Sequence, residues 1–133
     1  WDVGKLYASR NHKPDAYPVK RACWVYGQKD LAGVLEHLSR FKLEGVVDKL
    51  RAPFLVLHGE YDFVPLETAN TLYAYAKEHG VDITLKINRA EATGASHCAV
   101  DNPTPSQEFI ADWLAATCTG IARRAQEALS GAT

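Results

Sequence analysis

The 133-residue sequence contains no methionine, and its three cysteines are an odd number without a Cys-x-x-Cys spacing. This cysteine pattern argues against a disulfide framework and favours free thiols in a reducing compartment, so we expect a cytoplasmic protein. No apolar run approaches the roughly 20 residues that cross a bilayer, and the first residues resemble neither a signal nor a transit peptide. Because the chain begins at Trp1 without an initiator methionine, we expect it to be part of a longer polypeptide.

The sequence also lacks an excess of either charge, with a formal net charge of −1 and with acidic and basic residues mixed along the chain. We therefore expect no nucleic-acid partner and no anionic membrane partner. Apolar residues make up 47% of the composition, which is typical of a globular domain. The length allows at most one ordinary domain.

The first fifty residues are predicted to be mainly helical. Residues 1–16 are mixed and polar and carry loop markers. A short helix is expected over Tyr17 to Tyr26, ended by Gly27, and an amphipathic helix over Asp30 to Phe41. A further short helix is predicted over Leu43 to Leu50, because its apolar side chains fall on one face.

The pattern changes at Pro53 to alternating strands and helices. The apolar run Phe54 to Leu57 predicts a strand buried on both faces, as in a parallel sheet covered by helices. A helix is expected over Glu67 to His79, and the alternation in Val81 to Ile87 predicts a second strand nearer the sheet edge. This order predicts a βαβα unit with two parallel strands.

The second strand is followed by a long loop over residues 88–102, which we call the histidine loop. Loops of this length are uncommon and often functional. A helix is expected over Thr104 to Cys118, with Thr104 as its cap, and a further helical tail over Ile121 to Leu129.

Asp62 and His97 are the candidate catalytic residues, because each follows the end of a predicted strand. Functional groups collect at the carboxyl ends of strands in open parallel sheets. An acid followed by a histidine is also the order of the last two members of a Ser…Asp…His triad. The first member is not evident, since no Gly-x-Ser-x-Gly occurs in the 133 residues.

Other residues offer alternatives to this pair. Glu60 is the rival acid, and we expect it to be solvated or to bond to a loop. His58 is expected to be a packed residue at the strand end that bonds a backbone carbonyl. Ser96 and Cys98 are alternative nucleophiles, but adjacent side chains rarely align for proton transfer, so we expect Cys98 to pack behind His97. A metal site is allowed by residue type, but no ligand spacing supports one.

The segment Ala52 to Pro65 (APFLVLHGEYDFVP) resembles the penultimate strand and acid loop of the α/β-hydrolase family, whose pattern is PxLxxHGxxDxxVP. Asp112-Trp113-Leu114 resembles the closing helix of that family. Two further stretches, Leu43 to Leu50 and His97 to Asn102, resemble the branch that contains 2,6-dihydroxypseudooxynicotine hydrolase and the fungal polyketide-shortening hydrolases. The resemblance covers roughly residues 28–116.

This resemblance implies an α/β fold made of the last two strands of an α/β-hydrolase parallel sheet with flanking helices, preceded by helical lid-like segments. Residues 1–50 would form the lid or connector, and residues 51–133 the C-terminal βαβα part of the core. The implied function is the C-terminal part of a serine hydrolase that acts on an ester or on a carbon–carbon bond next to a carbonyl. Asp62 and His97 would supply the acid and base, with no cofactor and with the nucleophile in a missing N-terminal part.

The expected partners follow from the same interpretation. A two-stranded piece exposes apolar faces and unpaired edges, so we expect it to associate with the missing N-terminal half or with a second copy of itself. The substrate would be a small-molecule carbonyl compound or ester. The alternative is a non-catalytic binding or assembly module with a relict triad. The aromatic residues Trp1, Tyr7, Trp24 and Tyr26 could line a substrate pocket or fill a helical core.

Overall fold

The computed structural model describes residues 2–10 and 12–130 of the chain. The elements, in chain order, are α1 (Val3–Ala8), α2 (Tyr17–Tyr26), α3 (Leu31–Leu38), β1 (Phe54–Gly59), α4 (Leu66–Glu78), β2 (Ile83–Asn88) and α5 (Thr104–Ser130). β1 and β2 form a parallel pair in which Phe54 lies opposite Ile83 and Gly59 opposite Asn88. The predicted mixed α/β class and the parallel strand pair are confirmed. No helix within the described ranges is both long and apolar enough to span a membrane.

The backbone divides into two compact units. The amino-terminal unit comprises the residues through Arg51 together with Thr71–Val81, and the sheet unit comprises Ala52–Asn70 and the residues from Asp82 onward. Helix α4 therefore begins in the sheet unit and ends in the amino-terminal unit.

Helices α1, α2 and α3 enclose the core of the amino-terminal unit. Ala22, Val34 and Leu38 are buried at its centre, and Val3, Tyr7, Cys23 and Tyr26 pack against them. Helix α2 begins and ends where the sequence predicts. Its end is fixed by Gly27, whose φ of 63° is a left-handed conformation that favours glycine.

One helix in this unit was not predicted, and two helical predictions need correction. Helix α1 lies in the stretch 1–16, for which only loop markers were noted; Asp2 accepts a hydrogen bond from the Lys5 amide at 2.9 Å and so caps it. Helix α3 is shorter than predicted at both ends, since Asp30 caps it rather than beginning it and the helix ends at Leu38 rather than at Phe41. The predicted helix over 43–50 is wrong: Gly45 turns the chain at a φ of 73°, and only a 3₁₀ turn at Val47–Lys49 forms.

The strands of the sheet unit are less buried than predicted. The residues Phe54 to Leu57 of β1 are only half-buried, because within the described residues β1 pairs with β2 alone. The buried apolar side chains of this unit are Val64, Ala69, Ile83, Ala95 and Ala99.

Helix α5 lies along the sheet unit as one continuous element. The Trp113 indole N–H donates to the Thr84 hydroxyl on β2 at 3.1 Å and fastens the helix to the sheet. The predicted tail over 121–129 is helical, and it continues the same helix without interruption to Ser130, with Gly120 tolerated within it.

Candidate functional site: an Asp–His pair

The structure brings Asp62 and His97 together. The His97 Nδ1 atom lies 2.9 Å from Oδ2 and 3.1 Å from Oδ1 of the Asp62 carboxylate. The Asp62 side chain is only 10% exposed, whereas the His97 side chain is 45% exposed. The opposite ring nitrogen, Nε2, has no hydrogen-bond partner among the described residues. When Nδ1–H donates to the carboxylate, the neutral ring presents Nε2 as a proton acceptor.

The acid loop after β1 holds the Asp62 carboxylate in place. The Asp62 amide donates to the Gly59 carbonyl at 3.0 Å, and its Oδ1 accepts from the Val64 amide at 2.8 Å. Burial raises the pKa of Asp62, but the hydrogen bonds from Val64 and His97 outweigh burial, so the net pKa lies below the ordinary aspartate value. The carboxylate is therefore charged at neutral pH.

Gly59 allows the acid loop and the histidine loop to approach each other closely. A Cβ atom at Gly59 would lie 2.2 Å from the Ala95 carbonyl oxygen, which is far inside any normal contact. In the observed packing, the Tyr61 amide donates to this same oxygen at 2.9 Å. The absence of a side chain at the end of β1 thus sets the distance between the two loops.

Asp101 organises the residues that immediately precede His97. Its carboxylate accepts hydrogen bonds from three successive amides, those of Gly94 at 2.8 Å, Ala95 at 3.2 Å and Ser96 at 3.0 Å. Sequence reasoning gave Asp101 no role of its own. An aspartate closing a turn of small residues is the signal that would have indicated this role, since its short carboxylate readily binds nearby backbone amides.

The backbone beside His97 is strained. Cys98 has a φ of 55° and Ala99 a φ of 53°, within a short 3₁₀ turn at His97–Ala99. Left-handed conformations of non-glycine residues cost about 1–3 kcal/mol each and concentrate at functional sites. The Cys98 side chain also differs from expectation, because it is exposed rather than packed behind His97.

Asn88 joins the histidine loop to the start of α5. It is buried, and its side-chain amide donates to the Gly94 carbonyl at 3.2 Å and to the Ser106 hydroxyl at 2.7 Å. Asn88, the last residue of β2, thereby fixes both ends of the segment that carries His97. Sequence reasoning identified the loop but not this anchor, because the anchor depends on contacts between residues distant along the chain.

The remaining sequence candidates are placed as follows. Glu60 is occupied by the histidine loop, since its carboxylate accepts from the Ala90 amide at 2.9 Å and the Arg89 guanidinium at 3.2 Å. His58 is buried, as expected, but its Nε2 has no partner among the described residues, so this nitrogen does not form the expected bond to a carbonyl. His58 and Asp62 both line a cavity of about 290 Å³ in the sheet unit.

The aromatic residues considered as a pocket lining lie in different environments. Trp24 is 84% exposed and so does not fill a core, whereas Tyr7 and Tyr26 line a cavity in the amino-terminal unit. Trp1 lies outside the described residues. No cluster of three or more metal-ligating side chains occurs in the part of the chain that the structure describes.

Neither a protein-family model, a curated protein nor a solved structure matches this chain.

Proposed function

We propose that this chain is the C-terminal part of an α/β-hydrolase-type serine hydrolase and that Asp62 and His97 are the acid and base of its triad. The observation that carries the proposal is the 2.9 Å contact between the buried carboxylate of Asp62 and Nδ1 of the half-exposed His97. This arrangement leaves Nε2 to face the reacting groups, as the role of the base requires.

The chemistry follows from this geometry. His97 Nε2 accepts the proton of a serine hydroxyl as its oxygen attacks the carbonyl carbon of the substrate, and it then returns that proton to the leaving group. The leaving group is an alkoxide oxygen in an ester, or an enolate carbon when a carbon–carbon bond next to the carbonyl breaks. Asp62 holds the ring in the correct tautomer and stabilises the imidazolium, because the low pKa of Asp62 keeps the carboxylate charged.

The nucleophile is proposed to come from a polypeptide segment outside these 133 residues. The chain has no Gly-x-Ser-x-Gly. Ser96 and Cys98 flank His97 directly, and adjacent side chains rarely align for proton transfer. The oxyanion hole is expected on the same missing segment, because one of its amides follows the nucleophile.

The partner surface is proposed to lie around the pair and along β1. Three apolar side chains near the pair are largely exposed, those of Tyr61, Phe63 and Val100. The Phe63 ring centroid lies 3.9 Å from that of His97. We propose that the nucleophile-bearing segment, or a second copy of the chain, covers these side chains and the half-buried strand. The free thiols Cys23, Cys98 and Cys118 support a cytoplasmic location.

The direct test is ester hydrolysis and fluorophosphonate labelling of the natural polypeptide that contains this sequence. Replacing His97 by alanine is expected to abolish turnover, and Asp62→Asn to lower kcat by about 10³–10⁴-fold because the ring loses its tautomer control. Cys98→Ala is the matched control, since it changes the neighbouring exposed thiol and should retain most activity.

Two results would contradict the proposal. If His97→Ala retained turnover and Cys98→Ala lost it, the proposal would have assigned the chemistry to the wrong residue. An intact polypeptide that neither reacts with the fluorophosphonate nor hydrolyses esters would favour a binding or assembly module with a relict triad.

A further inference from the structure

The amino-terminal unit contains a cavity that the proposed acid–base chemistry does not use. Its volume is about 350 Å³, and helices α1, α2 and α3 all contribute to its lining. Pockets that hold small organic ligands range from about 300 to 1,000 Å³. The cavity is therefore large enough for a small molecule with a ring or a short chain.

The walls of the cavity are mainly apolar and aromatic. They are formed by Val3, Tyr7, Val25, Tyr26 and Leu38, among others. Leu38 is almost fully buried and belongs to the core of this unit. Part of the wall is thus fixed by core packing, so the cavity is formed before any ligand arrives.

Two polar groups at the cavity have no ionic or hydrogen-bond partner within the part of the chain that the structure describes. Arg21 lines it and forms no ion pair with the described residues. The Tyr7 ring also lines it, and the Tyr7 hydroxyl is buried without a hydrogen-bond partner among the described residues. Buried polar groups are nearly always paired, so an orphaned hydroxyl beside a cavity indicates a missing partner.

The chemistry of these groups specifies the missing partner. Burial raises the pKa of Tyr7, with smaller contributions from Cys23 and Tyr26, so the hydroxyl remains protonated and needs an acceptor. Among the described residues of the lining, Arg21 is the only ionised side chain, so its single positive charge balances one carboxylate but only half of the charge of a phosphate dianion.

We propose that this cavity binds a small organic monocarboxylate with an aromatic or aliphatic body, whose carboxylate pairs with Arg21 and whose oxygen atoms accept from Tyr7. The apolar body would lie against Val25 and Tyr26. This site is independent of the Asp62–His97 pair, so either proposal can fail without the other.

The test compares two probes with the same phenyl-ethyl body, one ending in a carboxylate and the other in a neutral hydroxymethyl group. The ¹⁵N-labelled natural polypeptide that contains this sequence is titrated with 3-phenylpropanoate and with 3-phenylpropan-1-ol while its amide resonances are followed. We expect saturable shifts in α1 and α2 with the carboxylate. Arg21→Gln should weaken carboxylate binding at least tenfold, which is the size of a lost charge-assisted hydrogen bond, and should leave alcohol binding unchanged. Lys20→Gln is the matched control, because this exposed lysine lies on the same helix but does not line the cavity.

Tyr7→Phe separates a binding role from a structural one. The variant loses only the orphaned hydroxyl, so the free chain should unfold at an equal or higher urea concentration while the carboxylate binds more weakly. The proposal is overturned if 3-phenylpropanoate gives no saturable shifts up to about 10 mM, well above the affinity expected of a built site. Equal weakening by Lys20→Gln and Arg21→Gln, or unchanged binding by Tyr7→Phe, would also overturn it.

Discussion

Replacing Gly59 by alanine tests whether the close approach at the end of β1 sets the geometry of the Asp–His pair. The new Cβ would lie 2.2 Å from the Ala95 carbonyl oxygen and 2.8 Å from the Ser96 carbonyl oxygen. An ordinary contact begins near 3.4 Å, so the histidine loop must retreat by the difference of 3.4 and 2.2, about 1.2 Å. A retreat of this size would stretch the 2.9 Å contact between His97 and Asp62 beyond hydrogen-bond range.

The energetic cost has two parts. Forcing a methyl group into packed backbone costs about 1–3 kcal/mol. The bond from the Tyr61 amide to the Ala95 carbonyl, 2.9 Å long, is lost as the loop moves, which adds about 0.5–1.5 kcal/mol. We expect Gly59→Ala to lower the free energy of unfolding by about 2–4 kcal/mol and the proposed turnover by about 100-fold, as misplacing a catalytic group by 1 Å does.

Equilibrium urea unfolding measures the stability, and ester turnover measures the site. Gly120→Ala is the matched control, since a Cβ there would meet only the end of the Arg124 side chain at 3.8 Å. In the helix interior this substitution should leave stability unchanged or raise it by about 0.5–1 kcal/mol. An unfolding midpoint for Gly59→Ala equal to that of the unsubstituted chain would refute the argument from close approach.

Three further predictions concern the acid, the loop anchor and the helix. The pKa of Asp62 is lowered in the folded chain, so its charge stabilises the fold above the unfolded-state pKa, and this stability is lost as the pH falls through the folded pKa. Between about pH 5 and pH 2, the free energy of unfolding in urea should therefore decline less steeply for Asp62→Asn than for the unsubstituted chain. Parallel curves would contradict this prediction. The three amides before His97 donate hydrogen bonds to the Asp101 carboxylate, so Asp101→Ala should accelerate their hydrogen exchange. Unchanged exchange would show that Asp101 does not anchor the loop. Trp113→Phe should cost about 1 kcal/mol in urea unfolding, and combining it with Thr84→Val should add less than the second substitution alone, because both remove one 3.1 Å bond.

The sequence pattern predicted the helices and strands correctly where turn residues and apolar spacing both agree with the folded structure. Helix α2 has a proline in its first turn and a glycine at its end, and its bounds are those predicted from the sequence. The strands β1 and β2 and the start of α5 were also predicted, because continuous or alternating apolar runs bounded by proline and glycine are local features. The chain order of strand, helix and strand was enough to make the pair parallel.

Predictions of helices differed from the structure where a turn or a cap at a single residue, rather than the apolar spacing, decided whether a helix forms. Residues 43–50 have the spacing of a helix, but the left-handed turn at Gly45 limits them to a 3₁₀ turn. The polar stretch before α2 showed only loop markers, but a cap at Asp2 allows a short helix there. Neither the turn nor the cap changes hydrophobic periodicity, so the periodicity could not show them.

The sequence by itself singled out Asp62 and His97 as the candidate pair, since each follows a predicted strand and the order strand, helix, strand predicts parallel neighbours. Only the tertiary structure decided what holds them 2.9 Å apart. The close contact at Gly59, the three amides on Asp101 and the Asn88 anchor all join residues that are separated along the chain or need a particular backbone turn. Such contacts depend on distances and angles in three dimensions, whereas strand order and residue type are properties of the sequence.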